Sequence, residues 1–119
     1  MKKSIISYGM KKQGATKEYP FGPEAVVLKV GGKMFALIFE GTEDDFRMNL
    51  KCDPVIAENL REQLDAVTPG FHMNKKHWNT VRVDGSLPLS DILDMINHSY
   101  DLVVDKLPRN VRESILEMN

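Results

Sequence analysis

The stretch Thr68-Pro69-Gly70-Phe71-His72-Met73-Asn74-Lys75-Lys76-His77-Trp78-Asn79-Thr80-Val81-Arg82-Val83-Asp84-Gly85 holds the chain's only tryptophan, two of its three histidines and its densest cation cluster. Within it, Lys75-Lys76-His77-Trp78-Asn79 combines residue types that suit nucleic acid: cations contact phosphates, an aromatic ring stacks on a base, and an amide reads a base edge. The competing reading is ordinary packing, with Trp78 mostly buried at the start of a strand and the lysines solvated. Lys29, Lys33 and Lys51 extend a basic strip near a Gly-Gly turn, or else keep a sheet surface soluble.

Other chemistries lack their spacing. No phosphate-cradling G-x-x-x-x-G-K-[ST], no G-x-G-x-x-G and no G-x-S-x-G occurs, so no catalytic set and no cofactor is expected. His72 and His77 stand five apart, which does not place both on one helix face, and Cys52 and His98 fall in other elements, so no metal is expected. Asp94 and His98, four apart on a helix, read as an exposed ion pair or hydrogen bond.

Composition narrows the field further. A chain of 119 residues with 42% hydrophobic and 28% charged residues fits one domain with one core. No apolar run approaches the ~18 residues that cross a bilayer, so no membrane partner is expected. The opening Met-Lys-Lys-Ser-Ile-Ile-Ser reads as a helix start, because its apolar segment breaks at Ser7 without a cleavage-type sequence. The single cysteine, Cys52, agrees with a reducing cytoplasm and a buried structural thiol. A net charge of -1 argues against a strongly electrostatic DNA binder, so any such binding is weak and rests on local patches.

The elements that must position these residues follow from periodicity. Ile5, Ile6 and Met10 among lysines predict a short amphipathic helix ended near Gly14. Tyr19-Pro20-Phe21-Gly22-Pro23 predicts an ordered turn whose aromatics cover the sheet edge. Ala25 to Val30 and Lys33 to Phe39 around Gly31-Gly32 predict a hairpin with positive φ at its turn. Phe46-Arg47-Met48-Asn49-Leu50-Lys51 alternates and completes a three-strand meander. Asp53-Pro54 opens a helix with an apolar stripe of Ile56, Leu60, Leu64 and Val67, leaving Glu58, Arg61, Glu62 and Asp65 outside. Phe71 to His77 reads as a loop or short helical turn, followed by a Trp78 to Val83 strand and the Asp84-Gly85 turn. Ser86 or Ser90 is expected to cap a long helix that buries Leu89, Ile92, Leu93, Ile96, Tyr100, Val103 and Leu107. Asp91, Asp94, His98, Asp101 and Asp105 take its other face, where phosphate is repelled. Pro108 ends that helix, and Arg109 to Met118 forms another with Val111, Ile115 and Leu116 inward.

Five segments, Pro20-Phe21-Gly22-Pro23, Gly31-Gly32-Lys33-Met34-Phe35-Ala36, Leu50-Lys51-Cys52-Asp53-Pro54, Asn74-Lys75-Lys76-His77-Trp78-Asn79 and Ser99-Tyr100-Asp101-Leu102-Val103, resemble the MmcQ/YjbR-like family from about Gly14 onward. The resemblance implies a single α+β domain, an antiparallel sheet of about four to five strands against helices. The fold so implied is related to that of frataxin-like CyaY and to the type III secretion chaperone-like fold. The resemblance also implies a DNA-binding protein working through a double-wing motif, with no catalytic residue set to carry over, so no enzyme is expected. The candidate contacts are those the residues themselves suggest, Lys29, Lys33, Lys51, Lys75, Lys76, His77, Trp78 and Asn79, on the Gly31-Gly32 hairpin and the segment before the Trp78 strand. A protein-interaction or chaperone-like module and a small-ligand binder stand as alternatives, and a monomer is expected over an oligomer.

Overall fold

In the computed structural model, which describes residues 1–117, six strands form one antiparallel sheet in the order β1-β2-β3-β4-β6-β5. The strands are β1 Ala15–Glu18, β2 Val26–Val30, β3 Lys33–Gly41, β4 Phe46–Lys51, β5 Val67–Pro69 and β6 Trp78–Val83. The helices are α1 Lys2–Met10, α2 Pro54–Gln63, α3 Leu89–Asp105 and α4 Arg109–Leu116. This is the α+β class that the resemblance implied, with more strands than expected.

The two extra strands lie at the sheet margins. β1 reads Ala-Thr-Lys-Glu and exposes three of its four residues, so it lacks the apolar alternation that announces a strand. β5 has three residues and includes Pro69, a type confined to sheet edges. Val67 is therefore a strand residue and not the end of a helical stripe, because α2 stops at Gln63.

One face of the sheet is buried. Val26, Leu28 and Val30 of β2, Ile38 of β3, Phe46, Met48 and Leu50 of β4, and Val81 and Val83 of β6 pack beneath Ile92, Ile96, Val103 and Val104 of α3. The period-2 pattern of each strand meeting the helical period of α3 produces this layer. Ile5 of α1 and Ile115 of α4 close its ends.

The β2–β3 hairpin turns through Gly31 and Gly32 at φ 58 and 79, as a two-residue I′-type turn requires. A Cβ on Gly31 would lie 2.6 Å from Leu107 Cδ1, so that glycine also lets the end of α3 approach the turn. A bulge near Leu28 and Lys29 leaves Phe35 as the extra residue of β3. Its carbonyl accepts a 2.6 Å hydrogen bond from Ser99 Oγ, which in turn accepts the Lys51 N–H at 2.9 Å. One buried hydroxyl thus pins α3 to β3 and β4.

Several local expectations are corrected. α1 ends at Met10, and Gly14, at φ 73, serves the turn into β1 instead. Neither Ser86 nor Ser90 caps α3; its N-cap is Pro88, and the Ser86 N–H donates to Asp84 Oδ1. Ile56, Leu89 and Leu116, expected inward, are 44%, 44% and 58% exposed, and Phe21, expected to pack, is 72% exposed. Leu89 and Leu116 sit at helix ends, where helical periodicity outlasts the surface available to cover it; Ile56 faces the open space between α2 and α3, and Phe21 lies in the connection between β1 and β2. Met118 lies outside the described residues.

Candidate nucleic-acid interface

The segment before β6 is held by backbone hydrogen bonds more than by its own side chains. Thr68-Pro69-Gly70 does punctuate the chain: the Gly70 N–H donates to Trp78 O at 2.9 Å, and a Cβ on Gly70 would press to 2.7 Å from Trp78 Cβ. Asn74 Oδ1 accepts from the N–H of Lys76 and of His77, forming a side-chain-mediated turn. Lys75 Nζ reaches back to Gly70 O at 2.8 Å.

Arg61 of α2 locks this loop in place. Its Nε donates to Asn79 Oδ1 at 2.7 Å, while one terminal nitrogen donates to Trp78 O at 3.1 Å and to Lys75 O. Expected on the outer face of α2, Arg61 is half-buried instead. Helical spacing places it correctly along α2 but says nothing of the loop that returns beside it. The fork geometry of guanidinium suits several carbonyl acceptors at once.

The candidate contacts do not form one surface. Lys33, Lys51 and Trp78 line a groove of about 340 Å³ at the end of the sheet, together with Met34, Lys106 and Leu107. Lys106, the residue that terminates α3, was missed because it lies beyond the acidic stripe and belongs to no local cluster. Desolvation pushes the Lys51 ammonium below its usual range, and the positive charge of Lys106 adds to the shift. Among the described residues, Lys33, Lys51 and Lys106 make no ion pair, and no carboxylate lines the groove.

Lys29 stands apart, since its Nζ pairs with Glu18 Oε2 at 2.6 Å across the β1–β2 ladder. Lys75 and Lys76 are exposed on the loop. His77 is half-buried, its carbonyl accepting the Cys52 N–H. Trp78, expected mostly buried, is half-buried at the start of β6. Asn79 is 2% exposed and sits on the inner side of the sheet, paired with Leu50, away from the lysine surface.

The histidines do not converge. His72 packs its ring 4.0 Å from that of Phe71, and His98 Nε2 accepts the Asp53 N–H at 3.2 Å in place of the expected pairing with Asp94. Among the described residues, no three His, Cys, Asp or Glu side chains gather as a metal set. Cys52 is buried, and desolvation followed by the Asp53 charge raises its thiol pKa, so its chemistry is that of an unreactive thiol. No helix is long and apolar enough to cross a membrane among the described residues.

A six-stranded antiparallel sheet, helices on its buried face and a lysine-and-tryptophan groove at its end define a small α+β domain. A sequence model of the YjbR family matches residues 10–102 of the chain. The chain belongs to that family. It is 37% identical over 114 residues to the uncharacterized protein YjbR of Escherichia coli K12, covering 96% of both chains. It is 39% identical over 97 residues to YbdF of E. coli O157:H7, covering 82% of this chain and 79% of that one. The crystal structure of Deinococcus radiodurans protein DR2400, a DUF419 domain, superposes with a TM-score of 0.86 at 34% identity, covering 95% of this chain and 86% of that one. A Pseudomonas syringae protein superposes at 0.73 with 27% identity, covering 86% and 97%.

Proposed function

We propose that the protein binds nucleic acid weakly and without catalysis, through the groove of Lys33, Lys51 and Lys106 beside Trp78. The observation that carries this reading is the convergence of three cations that make no ion pair among the described residues and one half-exposed indole, with no carboxylate among the described lining residues. Cations neutralise phosphates and release counterions, and an indole stacks on any unpaired base. Single strands suit this arrangement better than a duplex, because stacking needs a splayed base. The exposed aspartates of α3 keep the backbone away from that helix and set its approach to the end of the sheet.

The test is a salt-series titration with single-stranded and duplex DNA. Weak binding is expected, with dissociation constants on the order of micromolar or worse at physiological salt, as for non-specific binders. The triple change Lys33→Ala, Lys51→Ala and Lys106→Ala flattens the slope of log K against log salt by about 2, at roughly 0.7 per phosphate on a single strand. Absence of binding at low salt, or an unchanged slope, overturns the assignment.

One observation favours a protein-contact reading as the alternative. Phe71, 52% exposed, stacks on Phe39 at 6.1 Å on the open face of the sheet, beside Phe21. Absence of DNA binding by the unaltered, folded protein would direct attention to that face.

A further inference from the structure

A second cavity, of about 400 Å³, opens between α2 and α3 over the buried face of the sheet. Its walls are Leu50, Ile56, Leu60, Leu64, Val81 and Met95. The exposed position of Ile56 is a consequence: the apolar stripe of α2 faces this space across from α3. The volume lies within the range of small-molecule sites, which are mostly apolar with a few placed polar groups.

Those polar groups are segregated by sign. At one end stands Asn79, a lining residue whose amide orientation is fixed because Oδ1 accepts from Arg61 Nε, leaving Nδ2 as its remaining donor. That Nδ2 is buried and has no hydrogen-bond partner among the described residues. An unpaired buried amide is costly, and native proteins leave few of them. Lys51, Cys52 and His98 line the same end, where His98 meets the Asp53 N–H. Asp91 and Asp94 line the cavity from the earlier turns of α3, with Asp91 roughly 10 Å from His98 along the helix at 1.5 Å per residue. Gln63 stands at the exposed rim.

We propose that this cavity binds a small organic molecule with an apolar body, a hydrogen-bond acceptor at one end and an amine at the other. The acceptor takes the orphan Asn79 Nδ2, the body lies on the apolar walls, and the amine faces Asp91 and Asp94. The site is distinct from the groove proposed for nucleic acid, although Lys51 touches both.

A matched series of three probes tests the proposal by proton–nitrogen NMR on the full chain. The probes are 4-(aminomethyl)benzamide, 4-methylbenzamide, which lacks the amine, and benzylamine, which lacks the carbonyl. The first is expected to shift the Asn79 side-chain amide resonances and those of the cavity walls at low millimolar concentration. Each truncated probe binds about threefold to tenfold more weakly, the worth of one lost hydrogen bond or one partly exposed ion pair. Asp91→Asn with Asp94→Asn brings the first probe down to the level of 4-methylbenzamide. Gln63→Trp, at the exposed rim and away from the core, abolishes binding while the spectrum keeps its dispersion. Lys33→Ala with Lys106→Ala leaves probe binding unchanged, which separates this site from the groove. The proposal is overturned if 4-(aminomethyl)benzamide leaves the Asn79 amide unmoved, if the truncated probes bind as well as it does, or if Gln63→Trp retains full binding.

Discussion

Arg61→Ala is expected to destabilise the protein by about 2–4 kcal/mol. The guanidinium makes hydrogen bonds to Asn79 Oδ1, Trp78 O and Lys75 O. A hydrogen bond to a charged group contributes about 1.5–3 kcal/mol, and Arg61 is half-buried, so solvent replaces part of what is lost at the Lys75 end. The heavier cost falls on Asn79. With Nδ2 already lacking a partner, truncation leaves its whole amide unsatisfied at a site 2% exposed. Arg61→Lys recovers less than half, because one ammonium cannot span the acceptors that a planar fork reaches. Urea denaturation measures the loss, and hydrogen exchange locates it, since Trp78 O also anchors the Gly70 N–H and the whole 70–77 loop should open more often. A loss below about 0.5 kcal/mol, or full recovery by lysine, would refute the clamp.

Three further outcomes are expected. Gly31→Ala should lower the melting temperature more than Gly32→Ala, since both residues have positive φ but only Gly31 faces Leu107, at 2.6 Å from a built Cβ, while Gly32 faces open space; equal effects would contradict the contact. Trp78 emission should be partly quenched by iodide, as befits a half-buried ring, and single-stranded DNA should protect it; quenching unaltered by saturating DNA would remove the indole from the groove. The Cys52 and Tyr100 protons are both held above their ordinary values, chiefly by desolvation. The folded state then binds more protons than the unfolded chain at alkaline pH, so this contribution is intact below the ordinary thiol range and is lost as pH climbs through the raised values. The urea midpoint should fall across that window, and less so in Cys52→Ala; an identical pH profile for the variant would exclude the thiol.

Much of the fold is legible where local chemistry and tertiary environment agree. Gly31-Gly32 requires positive φ in any hairpin, Asp53 caps α2 by accepting from the Val55 and Ile56 N–H groups, and Phe46, Met48 and Leu50 of β4 alternate onto the buried face. Asn49, expected to face out, is buried as well, and its Nδ2 donates to Phe71 O of the loop that returns over the other face. Illegible parts depend on what lies opposite. β1 becomes a strand only because β2 offers its edge, and Ile56 is exposed only because α3 stands off from α2. The candidate site shows the same division. The stretch around Trp78 signals itself by composition, yet its partners, Lys106 at the end of α3 and Arg61 on α2, carry no local signal. Asn79, adjacent to Trp78 in sequence, turns to the other side of the sheet because a strand alternates.

The sheet margins bear on how the molecule behaves at high concentration. An open edge is a template for another chain, and long flat apolar edges drive fibre-like stacking. Here one margin is β5, three residues ending in a proline that has no donor to offer. The other is β1, four residues carrying Lys17 and Glu18, with the exposed Tyr19 and Pro20 directly after it. An incoming strand finds at either margin too short a ladder to stay, so the sheet is terminated on both sides by brevity and by charge or proline.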